Sequence, residues 1–244
     1  TELCFLSADR EPTVEEQARI YGEVFAAFPQ QKVVTRTLDA GSDKPLAFIT
    51  LPDEPNPALG VRGLRISALD PGILTRQLDA IARAATDQGR AMDQTWVMAP
   101  MVSTVAEARQ VAGLVRERGM VAGVMVEIPA VALCADQILA EVDFLSIGTN
   151  DLSQYTMAAD RMSPTLAELT SSWQPGVLRL IALTAEAGTR AGKPVGVCGE
   201  AAADPNLACV LVGMGITSLS MAASAVSAVG ARLSQVTSEQ CRRA

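Results

Sequence analysis

The chain has 244 residues, 49% of them hydrophobic, and a formal net charge of −7 at pH 7. That acidic balance argues against a general nucleic-acid surface, so any anionic ligand needs a local Arg/Lys pocket. No apolar stretch is long and charge-free enough to span a bilayer and no signal peptide is visible, which reads as a soluble, cytoplasmic protein. There are no histidines. His-based triads, His metal ligands and phosphohistidine chemistry within this chain are thereby excluded, leaving Cys, carboxylates, Lys or Tyr for acid–base work. The cysteines, Cys4, Cys134, Cys198, Cys209 and Cys241, are scattered without metal-type spacing and point to a reducing compartment.

Strand-like and helix-like runs alternate along the chain. The first strand candidate, Leu3–Leu6, begins almost at the chain start, so its stave is truncated and the chain reads as a fragment of a longer polypeptide. Thr13 and Glu16 have capping-box spacing before a helical pattern over Val14–Phe28. Lys32–Leu38 is the second strand candidate. The Pro-rich segment Asp39–Gly60 is the longest irregular connection, of the kind that serves an active site in a barrel. Val61–Ser67 is read as the third strand. Asp70-Pro71 then supplies an N-cap and first-turn proline for a helix around Ile73–Ala85, with Gly89 near its end.

Trp96–Val102, Gly123–Glu127, Phe144–Gly148, Pro194–Cys198 and Ser218–Met221 complete the strand candidates. Thr104 with Glu107 and Asp204-Pro205 mark helix starts between them, and Gly119 and Gly192 mark ends. This alternation predicts an α/β fold, a (β/α)8 TIM-type barrel with a truncated first strand, as a single domain over residues 1–244. An open doubly wound sheet is the runner-up.

Two runs end strands on carboxylates: Met125-Val126-Glu127-Ile128-Pro129-Ala130 and the Ser146–Tyr155 run with Asn150-Asp151. Each carboxylate alone reads equally as a cap on the following helix. At matching ends of successive strands, the two together favour a divalent metal held by hard oxygens. Asn150 reads as a ligand hydrogen-bond donor or as a left-handed turn residue. Arg36 lies near the end of the second strand, and an internal salt bridge and an anion are equal readings for it. Arg62 and Arg65 sit three apart on the expected third strand, hence on opposite faces, and Arg65 is read as structural. Arg161 reads from position as a surface ion pair. Cys198, at a strand end in a chain without His, is a plausible proton donor; the other cysteines read as packing.

These residues resemble the C-terminal, phosphoenolpyruvate-binding barrel of Enzyme I of the bacterial sugar phosphotransferase system. The carriers are Val34-Thr35-Arg36-Thr37-Leu38-Asp39 with Asp43-Lys44, and Asn56-Pro57-Ala58-Leu59-Gly60-Val61-Arg62. The Met125–Ala130 and Ser146–Tyr155 runs, Asp160-Arg161 and Val197-Cys198-Gly199-Glu200-Ala201 continue them. The resemblance implies that Arg36, Lys44, Arg62 and Arg161 bind the phosphate and carboxylate of phosphoenolpyruvate, and that Asn150 hydrogen-bonds the substrate. It implies that Glu127 and Asp151 ligate Mg²⁺, Asp151 also lying against substrate, and that Cys198 protonates the enolate to give pyruvate.

It further implies a phospho-accepting histidine on another domain of the same enzyme, the carrier protein HPr beyond it, and a homodimer to which Leu219–Val229 contributes. The family's Gly-Gly-Asp-Lys loop reads Gly41-Ser42-Asp43-Lys44 here, and an Arg that the family carries immediately before the position of Thr1 is absent. The shortened segments and Ala-rich style resemble actinobacterial members. Two other functions fit the same residues: a stand-alone metal-dependent lyase or aldolase of the phosphoenolpyruvate/pyruvate barrel superfamily, and a non-catalytic dimerisation module.

Overall fold

In a computed structural model that describes residues 5, 9–41, 46–49 and 53–243, parallel strands alternate with helices. The chain divides into two units, Thr1–Met101 with Arg109–Val124 and Val102–Ala108 with Met125–Ala244.

The first unit contains α1 (Val14–Ala27), β1 (Val33–Arg36), α2 (Pro71–Asp87) and β2 (Thr95–Ala99), with parts of α3 (Val105–Arg116) and β3 (Val121–Val126). β1 runs parallel to β2 with Arg36 opposite Met98, and β2 parallel to β3 with Ala99 opposite Val124. The start of α1 is set by its cap: the Glu16 amide donates to Thr13 Oγ1 at 3.3 Å, and the Thr13 amide donates to Glu16 Oε2 at 2.8 Å. Ala18, Tyr21, Gly22 and Phe25 then form one buried stripe at helical spacing, packed on α2. Asp70 caps α2 by accepting the Gly72 amide at 2.8 Å. α2 buries Ile73, Leu74, Leu78 and Ile81, each contributing about 1.5–3 kcal/mol by leaving water.

The expected third strand, Val61–Ser67, is instead a 3-10 helix over Gly63–Ala68. Gly63 takes a φ of +56°, which breaks an extended run. Its amide donates to the Ala40 carbonyl at 2.9 Å, and the Leu64 amide to the Pro100 carbonyl at 3.3 Å. Those bonds turn the segment across the ends of β1 and β2 instead of pairing it as a strand. Arg62 and Arg65 therefore do not stand on opposite faces of a strand. The expected first strand lies outside the described residues except for Phe5, which is buried.

The second unit completes β3 and adds α4 (Pro129–Leu133), α5 (Ala135–Glu141), β4 (Phe144–Gly148), α6 (Thr149–Met157), α7 (Pro175–Ala191) and β5 (Val195–Cys198). It ends with α8 (Glu200–Ala203), α9 (Pro205–Gly213), β6 (Ser218–Ser220), α10 (Ala223–Leu233) and α11 (Ser238–Arg243). β4, β5 and β6 are parallel, with Gly148 opposite Cys198 and Cys198 opposite Ser220. On β4 and β5, Leu145, Ile147, Val195 and Val197 bury one face, while Ser146, Gly148, Gly196 and Cys198 occupy the other. Lys193 fastens the end of α5 by donating to the carbonyls of Leu139 and Val142. Among the described residues, six strands are present and no helix is long and apolar enough to cross a membrane.

Candidate functional site

In the first unit, Asp39 joins two of the expected arginines. Its Oδ2 lies 3.3 Å from Arg62 Nη2 and 3.5 Å from Arg36 Nη1. Asp39 and the Arg62 side chain are almost fully buried, whereas Arg36 is 28% exposed. A buried guanidinium is costly without a counter-charge, and Asp39 supplies one. Arg36, the last residue of β1, thus makes the internal ion pair its strand position allows and keeps a solvent-facing portion. Arg65 is structural as expected: its Nη1 donates to the carbonyls of Leu59 at 3.1 Å and Gly60 at 3.0 Å, pinning the Pro-rich loop. Lys44 lies outside the described residues.

In the second unit, the expected groups converge on Gly148. Glu127 follows β3 directly and is 1% exposed. A Cβ built on Gly148 would come within 2.9 Å of Glu127 Oε2, so the carboxylate occupies the space a side chain there would take. Cys198 stands opposite Gly148 in the parallel ladder, and Asp151, 7% exposed, lies in the first turn of α6. Neither carboxylate stands at the N-cap position of the following helix. Ile128 is the N-cap of α4 and Gly148 that of α6, both without a side-chain cap bond. The acidic first-turn position of Asp151 is favoured by the helix dipole.

Arg161 Nη1 lies 3.9 Å from Asp151 Oδ2 with its side chain 27% exposed, a half-buried pair and not a surface one. The Arg161 amide is held by Gln154 Oε1 at 3.0 Å, which fixes the loop after α6. Asn150 is helical, contrary to the left-handed turn reading, and its Oδ1 accepts the Glu200 amide at 3.1 Å. That bond ties the start of α6 to the start of α8. Asn150 and Arg161 line a cleft with Trp173, Glu200 and Asp204.

Cys198 is half-buried. Its thiol donates to the Ile147 carbonyl at 3.4 Å and its sulfur accepts the Ser146 hydroxyl at 3.7 Å, while Thr149 Oγ1 donates to the Cys198 carbonyl at 3.0 Å. Burial pushes the Asp204 carboxyl pKa up, but hydrogen bonds from the Trp173 indole and the amides of Leu207 and Asn206 outweigh it and leave it lowered.

Sequence reasoning missed Asp39, Ser146 and Gly148. Asp39 alone carried a local signal, a carboxylate three residues after a strand-end arginine. Glu127 and Asp151 are hard oxygen donors suited to a divalent cation. No group of three or more Asp, Glu or Cys side chains is poised to hold a cation among the described residues, so water and an anionic ligand would have to complete its shell.

The sequence profile described as "PEP-utilising enzyme, PEP-binding domain" matches residues 1–238. The chain belongs to this family. It is 53% identical over its whole length to a phosphoenolpyruvate-protein phosphotransferase of Streptomyces coelicolor, covering 44% of that protein. It is 40% identical over 93% of its length to the protein of the same name from Staphylococcus aureus, covering 41% of it. The chain thus spans less than half the length of these curated relatives. Among solved structures, a malate synthase of Haloferax volcanii shares the fold at a TM-score of 0.58 and 16% identity, over 92% of this chain and 59% of that one.

Proposed function

We propose that this chain binds phosphoenolpyruvate together with Mg²⁺ and presents its phosphoryl group to a histidine on another domain of an Enzyme I-type phosphotransferase, releasing pyruvate. The observation that carries this reading is the arrangement around Gly148, with one buried carboxylate in its side-chain space, a thiol opposite it and a second carboxylate in the next helical turn. The family membership and the relatives' names support the substrate.

In this reading Arg36, Lys44, Arg62 and Arg161 bind phosphate and carboxylate oxygens, and Asn150 donates its amide to the substrate. Glu127 and Asp151 hold Mg²⁺; two buried hard-oxygen donors with the rest of the shell left to water and substrate suit that ion. When bound, it neutralises charge on the phosphoryl and enolate oxygens. The thiol of Cys198 delivers its proton to the methylene carbon of the enolate as the phosphoryl group departs, and the Ser146 hydroxyl stays behind as a donor to the thiolate. Completed eight-fold closure of the barrel, a cytoplasmic location, relay of the phosphoryl group to HPr and homodimerisation belong to the same proposal.

The test uses variants. Glu127→Ala and Asp151→Ala abolish Mg²⁺-dependent phosphoenolpyruvate binding, whereas Cys198→Ala retains binding and loses pyruvate formation in the full-length enzyme. Unchanged Mg²⁺-dependent affinity in the carboxylate variants would remove the metal assignment.

A further inference from the structure

The C-terminal helix α11 is seated unusually close to α9. A Cβ built on Gly213 would lie 1.9 Å from the Cys241 carbonyl oxygen, so only glycine at that position admits the backbone of α11. Cys209 is one helical turn before Gly213, hence on the same face of α9. The close approach therefore brings Cys241 of α11 against Cys209 of α9. Both are free and buried, at 6% and 5% exposure.

α11 itself is well formed. The Gln240 amide donates to Thr237 Oγ1 at 3.2 Å and the Thr237 amide to Gln240 Oε1 at 2.8 Å, a reciprocal cap that fixes where Cys241 points. The Cys241 thiol has Cys209 as its hydrogen-bonding neighbour; burial and that neighbour raise its pKa, and Arg232 and Arg242 offset part of the rise. Neither thiol belongs to the site described above.

We infer that Cys209 and Cys241 form an oxidation site, closing a disulfide that clamps α11 onto α9 when the protein meets a peroxide. Both thiols are buried and the Cys241 pKa is raised, so the reaction proceeds through local opening of the terminal helix α11: one thiol ionises there and attacks a peroxide oxygen, the O–O bond breaks, water leaves with the released proton, and the sulfur becomes a sulfenic acid. The second thiol attacks that sulfur, the S–O bond breaks, and a second water leaves. Two thiols and one peroxide thus give one disulfide and two waters. The cross-link encloses a loop of about 30 residues, long enough to stabilise the fold appreciably. The half-buried Cys198 stands apart in this inference and serves as an internal control.

The experiment exposes the folded chain to hydrogen peroxide, blocks remaining thiols, digests without reductant and maps the peptides by mass spectrometry. A Cys209–Cys241 linked peptide is expected, with an unfolding midpoint raised by about 5 °C and reversed by dithiothreitol. Cys241→Ser loses both the link and the shift. A second variant, with Cys4, Cys134 and Cys198 replaced by Ala, keeps the pair alone: both thiols react with a thiol reagent in denaturant before peroxide and neither does afterwards. Persistence of both thiols in that variant, or linkage of either cysteine to Cys198 in the wild type, would overturn the inference.

Discussion

Gly148 and Glu127 share one space: a Cβ on Gly148 would come within 2.9 Å of the Glu127 carboxylate and 2.8 Å of Met125 Cε. Both atoms are the mobile ends of flexible side chains, so Gly148→Ala displaces the carboxylate more than it disrupts the strand. Stability is expected to fall by less than about 1.5 kcal/mol. Mg²⁺-dependent phosphoenolpyruvate affinity falls about tenfold or more, as when the support of a metal ligand is removed. Paired urea unfolding and calorimetry read the two effects, and wild-type affinity in the variant would contradict the proposed role of Glu127.

Asp39→Asn keeps the shape of the side chain and removes the charge facing Arg62 and Arg36. The buried Arg62 guanidinium then loses the counter-charge that Asp39 supplies, which costs about 3 kcal/mol. Urea unfolding checks the loss. A fall below about 1 kcal/mol would mean that the pair at 3.3 Å contributes no more than a surface ion pair.

The capping box of α1 has a pH signature. The Glu16 carboxyl is held at about 2, first by its hydrogen bonds to Arg10 and then by the Thr13 amide. A lowered folded pKa means the contribution is complete above the unfolded value of 4.5 and is lost as pH falls towards about 2. Carboxyl titration by NMR should place the Glu16 midpoint near 2 in the wild type and higher in Arg10→Gln, where the larger cause is removed. A wild-type midpoint at 4.5 would rule out the cap in solution.

Helix starts were legible because capping is local: Thr13, Asp70 and Asp204 each hold amides within three residues. The carboxylates and Cys198 were legible as strand-end residues, although their convergence on Gly148 was not, since a missing side chain leaves no pattern. Val61–Ser67 was misread because its apolar residues suit a strand, while Gly63 and its bonds to Ala40 and Pro100 decide otherwise. Non-local partnerships were hidden. Arg62 meets Asp39 across 23 positions, and Arg90, never singled out, holds the Phe28 carbonyl from 62 away. The Cys209–Cys241 pair is likewise set by the packing of α11 on α9, so neither cysteine carries a sign of it in sequence.

Calorimetric titration of the chain with phosphoenolpyruvate, with and without Mg²⁺, tests the central claim most directly. The account predicts saturable binding that requires Mg²⁺ and is lost in Glu127→Ala and Asp151→Ala. Binding of equal strength without the metal, or none in its presence, would contradict it.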